Sequence, residues 1–416
     1  MPGLGLSLRL GRNRLAGLPA FVRAFIKRVT DDGGTVESPS CIEIPSGITP
    51  TILLPPSGYK AGTLYAPLPS DGSGDFSVTR ATTATRINED GLIESVAANV
   101  PRIDYTGGGC PSLLLEPQRT NVVTNSELLD TYFTSKANAT ITDTYGVSPR
   151  GDTTSSRIQF AGTAYALVTV TATVERTASV YVKGTAGETI RFGLGANVAQ
   201  GQLFTFNGDW QRIDDIGTTE TNLFFSNLTG VTATDFEAWG LQLEEGAYPT
   251  SYIPTAGTTI TRNADVINLT GAAALLEDSE GTFFVEAQWF DASPSSFFSL
   301  SDGSSANRVY FFNNAGAISF VTRVANANQC QISGGTATDI TFIKLAGAYK
   351  EDDFGFYQDG TQIGLDNVGS TYSAGTLTRV GFDASSNGSV PFYGRIRQLA
   401  VFPTRLTNAE LQTLTQ

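Results

Sequence analysis

The sequence predicts a mainly β fold: two consecutive antiparallel β-sandwich domains of jelly-roll type, following a mixed N-terminal attachment region. Two observations carry that prediction. Apolar and polar side chains alternate over short runs, as in Ala178-Ser179-Val180-Tyr181-Val182 and Thr282–Phe290, and residues two apart share one face of a strand. Between the runs lie clusters of Gly, Ser, Thr and Asn, with 44 glycines in the chain, which suit turns and not long helices. No solenoid repeat or heptad competes with this reading.

A chain of 416 residues has room for two or three cores. Its 40% hydrophobic and 16% charged residues exclude a disordered acidic tail. The segment Pro19–Val29 predicts a helix, with Phe21, Val22, Phe25, Ile26 and Val29 near one face. Pro19 suits an early helical position and Asp32-Gly33-Gly34 a stop. Residues 1–70 therefore read as an attachment or assembly region, and 71–126, a series of short extended pieces, as a connecting segment that leans on a neighbour.

Residues 127–255 predict the first sandwich. Its strands include Ile190–Leu194, LFTF at 203–206, NLFF at 222–225 and FEAWGLQLEE at 236–245. In the last of these Trp239, Leu241 and Leu243 fall on one face by simple alternation. Two stacked sheets are the economical way to bury such patterns. Pro249 and Pro254 mark an extended crossing.

Residues 256–416 predict the second sandwich. Phe283, Val285, Ala287 and Trp289 share a face, and FFSL, VYFF, ISF and FIKLAGAY follow. In FGFYQDGTQIG the pair Asp359-Gly360 predicts a two-residue hairpin turn. Thr407-x-x-Glu410 is a capping box for a short terminal helix carrying Leu411 and Leu414.

The chain has 0 histidines, which removes His-dependent triads and His-bearing metal sites. GLGLSLRLG lacks the strand–turn–helix context of a nucleotide fingerprint, and no P-loop lysine is present. Paired-carboxylate glycan hydrolysis survives this exclusion. Its candidates are Glu237, Glu244, Glu245, Glu286, Asp352 and Asp353, for which surface and turn roles are the preferred reading, so the chain is read as no enzyme. Calcium would suit the oxygens of Asp302, Asn307, Asp352 and Asp353, but EF-hand spacing is absent and no cofactor is expected. The same loops, with Tyr310 and Tyr357 close in sequence, are the candidate glycan- or ion-binding residues. For Trp210, Trp239 and Trp289, and likewise for Tyr357, core packing outweighs a role as sugar platforms.

The 27 basic and 40 acidic residues give a net charge of −13, which repels nucleic acid. The basic run Arg9, Arg12, Arg14, Arg23, Lys27 and Arg28 reads as a solvated face or a contact with an acidic protein partner. Cys41, Cys110 and Cys330 are widely separated, so a disulfide framework is not expected and folding in a reducing cytoplasm is. Neither an export signal nor a membrane-spanning run is expected.

The stretches CPSLLLEPQRTNVVTNSE, GDWQRI, FEAWGLQLEEGAYPTSYIPT, ITRNADV and FIKRVTDDGGTVES resemble bacteriophage virion proteins such as tail fibres, receptor-binding proteins and head-associated fibres. The region between them is similar to jelly-roll carbohydrate-binding modules. YQDGTQIG and FYGRIRQLAVFPTRLTNAELQTL resemble a concanavalin A-like or laminin G-like domain. The resemblance implies a virion protein made in the host cytoplasm and exposed on the tail or capsid exterior. It further implies virion partners at the N-terminal region, a bacterial surface polysaccharide as ligand, and a homo-oligomer, by analogy a trimer. A capsid fibre, decoration protein or tail adaptor is the structural alternative.

Overall fold

A computed structural model describes residues 17–44, 48–170, 174–218, 220–228, 230–291, 296–337, 341–384 and 390–416. The GLGLSLRLG segment and Arg9, Arg12 and Arg14 lie outside them. The chain forms two compact units: one comprises residues 1–81, 97–116 and 265–416, the other 82–96 and 117–264.

Unit 1 is a sandwich of a ten-stranded and an eight-stranded antiparallel sheet. At the centre of the eight-stranded sheet, Glu280–Trp289 pairs with Ile343–Lys350 on one side and Gly394–Phe402 on the other. Phe283, Val285, Ala287 and Trp289 enter the core between the sheets, as their alternation predicts. Phe284 points the other way and is also buried, beneath Leu411 and Leu414 of the terminal helix Asn408–Leu414. Covering both faces explains why this strand shows almost no polar face. Thr407 accepts a hydrogen bond from the Glu410 backbone N–H while the Glu410 side chain reaches back to Thr407, completing the predicted capping box. The predicted hairpin joins Phe354–Gln358 to Thr361–Asp366. Its turn residues Asp359 and Gly360 both have positive φ, 47° and 75°, the combination a type I′ turn requires.

The proposed attachment and connecting spans are distributed differently from the sequence expectation. Gly58–Lys60, Thr63–Leu64 and Phe76–Thr79 are strands of the ten-stranded sheet. Ile52–Leu54 and Ser112–Leu115 extend the eight-stranded one along Gly394–Phe402. The hairpin Ala84–Ile87/Ile93–Val96 and the strand Arg119–Asn121 belong instead to unit 2. Strands of two to four residues bury too little to stand alone, so they complete sheets that other segments begin. The N-terminal helix, Ala20–Asp31, buries Val22, Phe25, Ile26 and Val29 against Val36, Ile42 and Tyr65.

The cysteine expectation is corrected: Cys41 and Cys110 form a disulfide across 69 residues of sequence, with Cα atoms 5.7 Å apart. Cys330 is buried and free. Spacing along the chain did not reveal the pair because tertiary folding alone brings the two loops together.

The chain leaves unit 1 after Ala81, returns at Ala97, leaves after Glu116 and returns at Asp265. A buried ionic network inside unit 1 gathers residues from all four points. Arg80 bonds Asp265 at 2.8 Å and the Ala97 carbonyl at 2.7 Å. Arg102 pairs with both Glu116 and Asp265, and the Glu116 N–H donates to Asp265 at 3.0 Å. Burial opposes the charge on Arg102, but the two carboxylates outweigh it and hold the guanidinium firmly protonated.

Unit 2 is built around an eight-stranded sheet that folds over itself, and it also holds two two-stranded sheets. The long strand Ser156–Thr169 pairs at residues 156–159 with Asp235–Glu245, and at 165–169 with Asn222–Ser226. Gly162, at φ 77°, lies between the two pairings. The strand thus serves both arms of the sandwich, whose shared core includes Ile158, Ala166, Val180, Phe192 and Phe225. One detail departs from simple alternation. Phe236, Ala238, Leu241 and Leu243 join that core, whereas Trp239 lies on the other face with Tyr252 and Ile93. Gly240 has φ 68°, and the register to Arg176–Lys183 shifts here. A bulge changes the phase of the strand.

Candidate functional site

Unit 2 contains a cavity of about 500 Å³, lined by residues of two separate stretches: 125–154 and 254–260. Its walls include Leu128, Pro254, Ala256 and Ile260, of which Leu128 and Ile260 are exposed at the rim, by 43% and 41%. The polar part is Asn125, Glu127 and Arg150 with Thr144, Thr154 and Thr255.

Each polar group is held from behind. Ser148 and Gly151 close a tight loop through backbone bonds, Ser148 N–H to the Asp152 carbonyl at 2.7 Å and Gly151 N–H to the Ser148 carbonyl at 2.9 Å. The Ile93 N–H donates to the Pro149 carbonyl at 3.0 Å and ties the loop to the 84–96 hairpin. Arg150 then reaches Asp152 through Nε at 2.7 Å and Glu127 through Nη2 at 2.5 Å. Its guanidinium carbon lies 5.3 Å from the Trp239 ring centroid, within cation–π range. Trp239 is anchored by its own N–H, which donates to Thr154 at 2.9 Å. Glu127 also accepts from the Tyr252 hydroxyl at 2.9 Å, and that hydroxyl contacts Ser126 at 2.6 Å.

Partial burial pushes the Asp152 carboxyl up, but hydrogen bonds from Ser148, Thr154 and Arg150 outweigh it and hold the group below the ordinary value. Burial, followed by the Glu127 charge, raises the Tyr252 phenol well above its usual range, so it serves as a neutral donor. The result is an immobilised guanidinium whose Nη1 has no protein partner among the described residues. Asn125 accepts from the Gly257 N–H at 3.1 Å, and its amide nitrogen is likewise unpartnered among them. A fixed set of donors beside an apolar wall can hold a hydroxyl-bearing ligand without covalent chemistry.

The candidate glycan- or ion-binding residues of the sequence reading lie in unit 1 and do not assemble into such a site. Asp302 and Asn307 do meet, at 2.8 Å. Asp302 also accepts from the Ser304 N–H, and Asn307 from that of Ala325, so their oxygens close the loop upon itself. Tyr310 is 6% exposed and stacked under Arg308, whose guanidinium carbon is 4.3 Å from the ring centroid. Tyr357 is 3% exposed, and its hydroxyl donates to Gln362 at 2.7 Å. Neither ring offers a face for a sugar; both fill sheet surfaces, because the strand positions they occupy are covered. Asp352 has φ 55° and accepts from the Gly369 N–H at 3.0 Å. Asp353 pairs with Arg405 at 2.9 Å.

Of the other acidic candidates Glu245 is exposed, and the remaining three are internal ties as well. Glu244 is fully buried and accepts from the Thr250 N–H and hydroxyl at 2.7 and 2.6 Å. Glu237 accepts from Ser155, and Glu286 from Arg397 at 3.2 Å. Glu286 and Arg397 border a smaller cavity of about 200 Å³ beside the disulfide. Among the described residues, no group of three or more acidic or cysteine side chains is arranged to hold a metal ion. Nor is any helix among them long and apolar enough to cross a membrane, which leaves strand-built spans unaddressed.

Sequence reasoning missed Arg150, Asp152 and the cavity itself, because its two halves are about a hundred residues apart. A partial signal existed: Asn125 and Glu127 end the stretch CPSLLLEPQRTNVVTNSE, and Pro254 and Thr255 end FEAWGLQLEEGAYPTSYIPT.

Comparison with known proteins adds the following. Residues 265–412 match the family described as the concanavalin A-like lectin/glucanases superfamily. No curated protein matches the chain. Among solved structures it is similar to the CBM40 of the Ruminococcus gnavus IT-sialidase bound to α2,3 sialyllactose. That match has 16% identity and TM-score 0.31, covering 35% of this chain and 87% of that one. It is similar also to a heptameric SAP-like pentraxin from Limulus polyphemus, at 16% identity and TM-score 0.28, covering 33% and 70%. The family match falls on the strands that form most of unit 1, and that unit has a concanavalin A-like sandwich fold.

Proposed function

We propose that this chain is a non-catalytic recognition protein of a phage particle, a tail-fibre or host-attachment component that binds a bacterial surface glycan through its sandwich units. The observation that carries the reading is the cavity of unit 2. Arg150 is fixed there by two carboxylates and a tryptophan, so donors are presented to a ligand with little ordering left to do on binding. Shallow sugar sites of this kind are individually weak, and repeated copies on a particle convert weak contacts into avidity. The match of unit 1 to a superfamily that includes lectins supports the glycan half of the reading. The likeness of the quoted stretches to virion proteins supports the particle half.

The test is an array of bacterial surface polysaccharides probed with the intact chain and with Arg150→Ala. Binding to at least one polysaccharide, weakened about tenfold or more in the variant, is the expected result. Failure to retain any polysaccharide would remove the adhesive role. Antibody-labelled particle microscopy then separates tail from capsid.

A further inference from the structure

The charge arrangement of the unit 2 cavity narrows the class of ligand, and this inference rests on the glycan-binding reading just given. One cation, Arg150, is shared between two carboxylates, Glu127 and Asp152, at 2.5 and 2.7 Å. Lys136 and Arg157, basic residues of the same unit, are already matched, to Asp130 and Asp235. Arg150 with its two carboxylates therefore carries one negative charge in excess, although its unpartnered atom is a donor. Such a wall attracts a hydroxyl oxygen, which accepts from Arg150 Nη1 and Asn125 and can donate to Glu127. It repels a carboxylate or sulfate, whose charge would lie within a few ångströms of Glu127. Leu128 and Ile260, exposed at the rim, suit the C–H face of a sugar ring.

We propose that this cavity takes an uncharged, hydroxyl-rich sugar unit and discriminates against acidic ones. Selectivity of this kind comes from the repulsive element as much as from the attractive ones. Glu127 is the residue that enforces it, and Arg150 the one that binds.

The experiment is isothermal titration of the intact chain with matched neutral and acidic probes, galactotriose against trigalacturonate and lactose against sialyllactose, at low ionic strength. The expected result is that the neutral member of at least one pair binds about tenfold more tightly than its acidic partner. In Glu127→Gln the ratio falls toward one, and a circular dichroism spectrum matching the parent shows that the fold is kept. Asp152→Asn provides a second reading of the same ratio should Glu127→Gln not fold. Equal binding of the two members, or preference for the acidic one, overturns the selectivity and leaves glycan binding standing. Absence of binding to all four probes, together with a blank polysaccharide array, overturns both.

Discussion

The two units solve the same problem, burying short alternating strands, in different ways. Unit 1 stacks two separate sheets assembled from three stretches of chain, fastens two of its loops with a disulfide, and buries an Arg–carboxylate network with side chains at most 2% exposed. Unit 2 turns its main sheet over on itself, has no disulfide among its described residues, and leaves the Arg150 side chain 30% exposed at a cavity. Both use arginines paired to carboxylates. In unit 1 the pairing is closed by protein atoms, so it contributes to holding segments together. In unit 2 one edge of the arginine is left open, so it can meet a ligand. The difference teaches that a residue type and its partner do not define a binding site; the remaining unpaired donors do.

The comparison can be broken most sharply at Arg102. Replacing it by Leu leaves Glu116 buried without its cation, at a cost of about 3–5 kcal/mol. Hydrogen exchange should then show protection lost in Ile103–Asp104, Ser112–Leu115 and Val266–Thr270, with the strands of unit 2 changed much less. Equal loss in both units would show that their stabilities are not separable. Removing the disulfide, by reductant or by Cys41→Ser with Cys110→Ser, is the next largest perturbation, about 2–4 kcal/mol. It should lower the unfolding midpoint of unit 1 while polysaccharide binding by unit 2 survives. The smallest effect sharpens the other side. At Gly240 a Cβ would lie 3.3 Å from Tyr252 and 3.4 Å from Tyr181, on a backbone with φ 68°. Gly240→Ala should cost about 1–2 kcal/mol and, by shifting the neighbouring Trp239, weaken sugar binding measurably in the same titration.

Much of the fold was legible before any coordinates. The Phe283–Trp289 alternation, the Asp359-Gly360 turn and the Thr407–Glu410 capping box depend on neighbours within a few residues. The structure reproduces all three. Trp239 was harder, because a bulge at Gly240 inverts the strand phase and period-two reasoning assumes none. Tyr310 stands among the candidate ligand-binding residues, and Tyr357 beside it although core packing is preferred there, because an aromatic residue near a polar loop looks the same in sequence whether its ring is covered or open.

The stretches quoted from the sequence hold much of the buried polar structure of both units. Glu116 in LLLEPQRTN and Asp265 in ITRNADV are members of the buried network of unit 1. Asn121, Gln242, Glu244 and Thr250 bond one another or neighbouring backbone inside unit 2. These motifs chiefly encode architecture.

What the sequence determined by itself is the set of strands, their faces and their turns, since alternation, positive-φ glycines and capping pairs act locally. Tertiary structure alone decided three things: that Cys41 meets Cys110, that four distant chain positions share one ionic network, and that Glu127, Arg150 and Ile260 border a single cavity. Each joins residues far apart in the chain, and the free energy of such contacts depends on distances through space that no local pattern specifies.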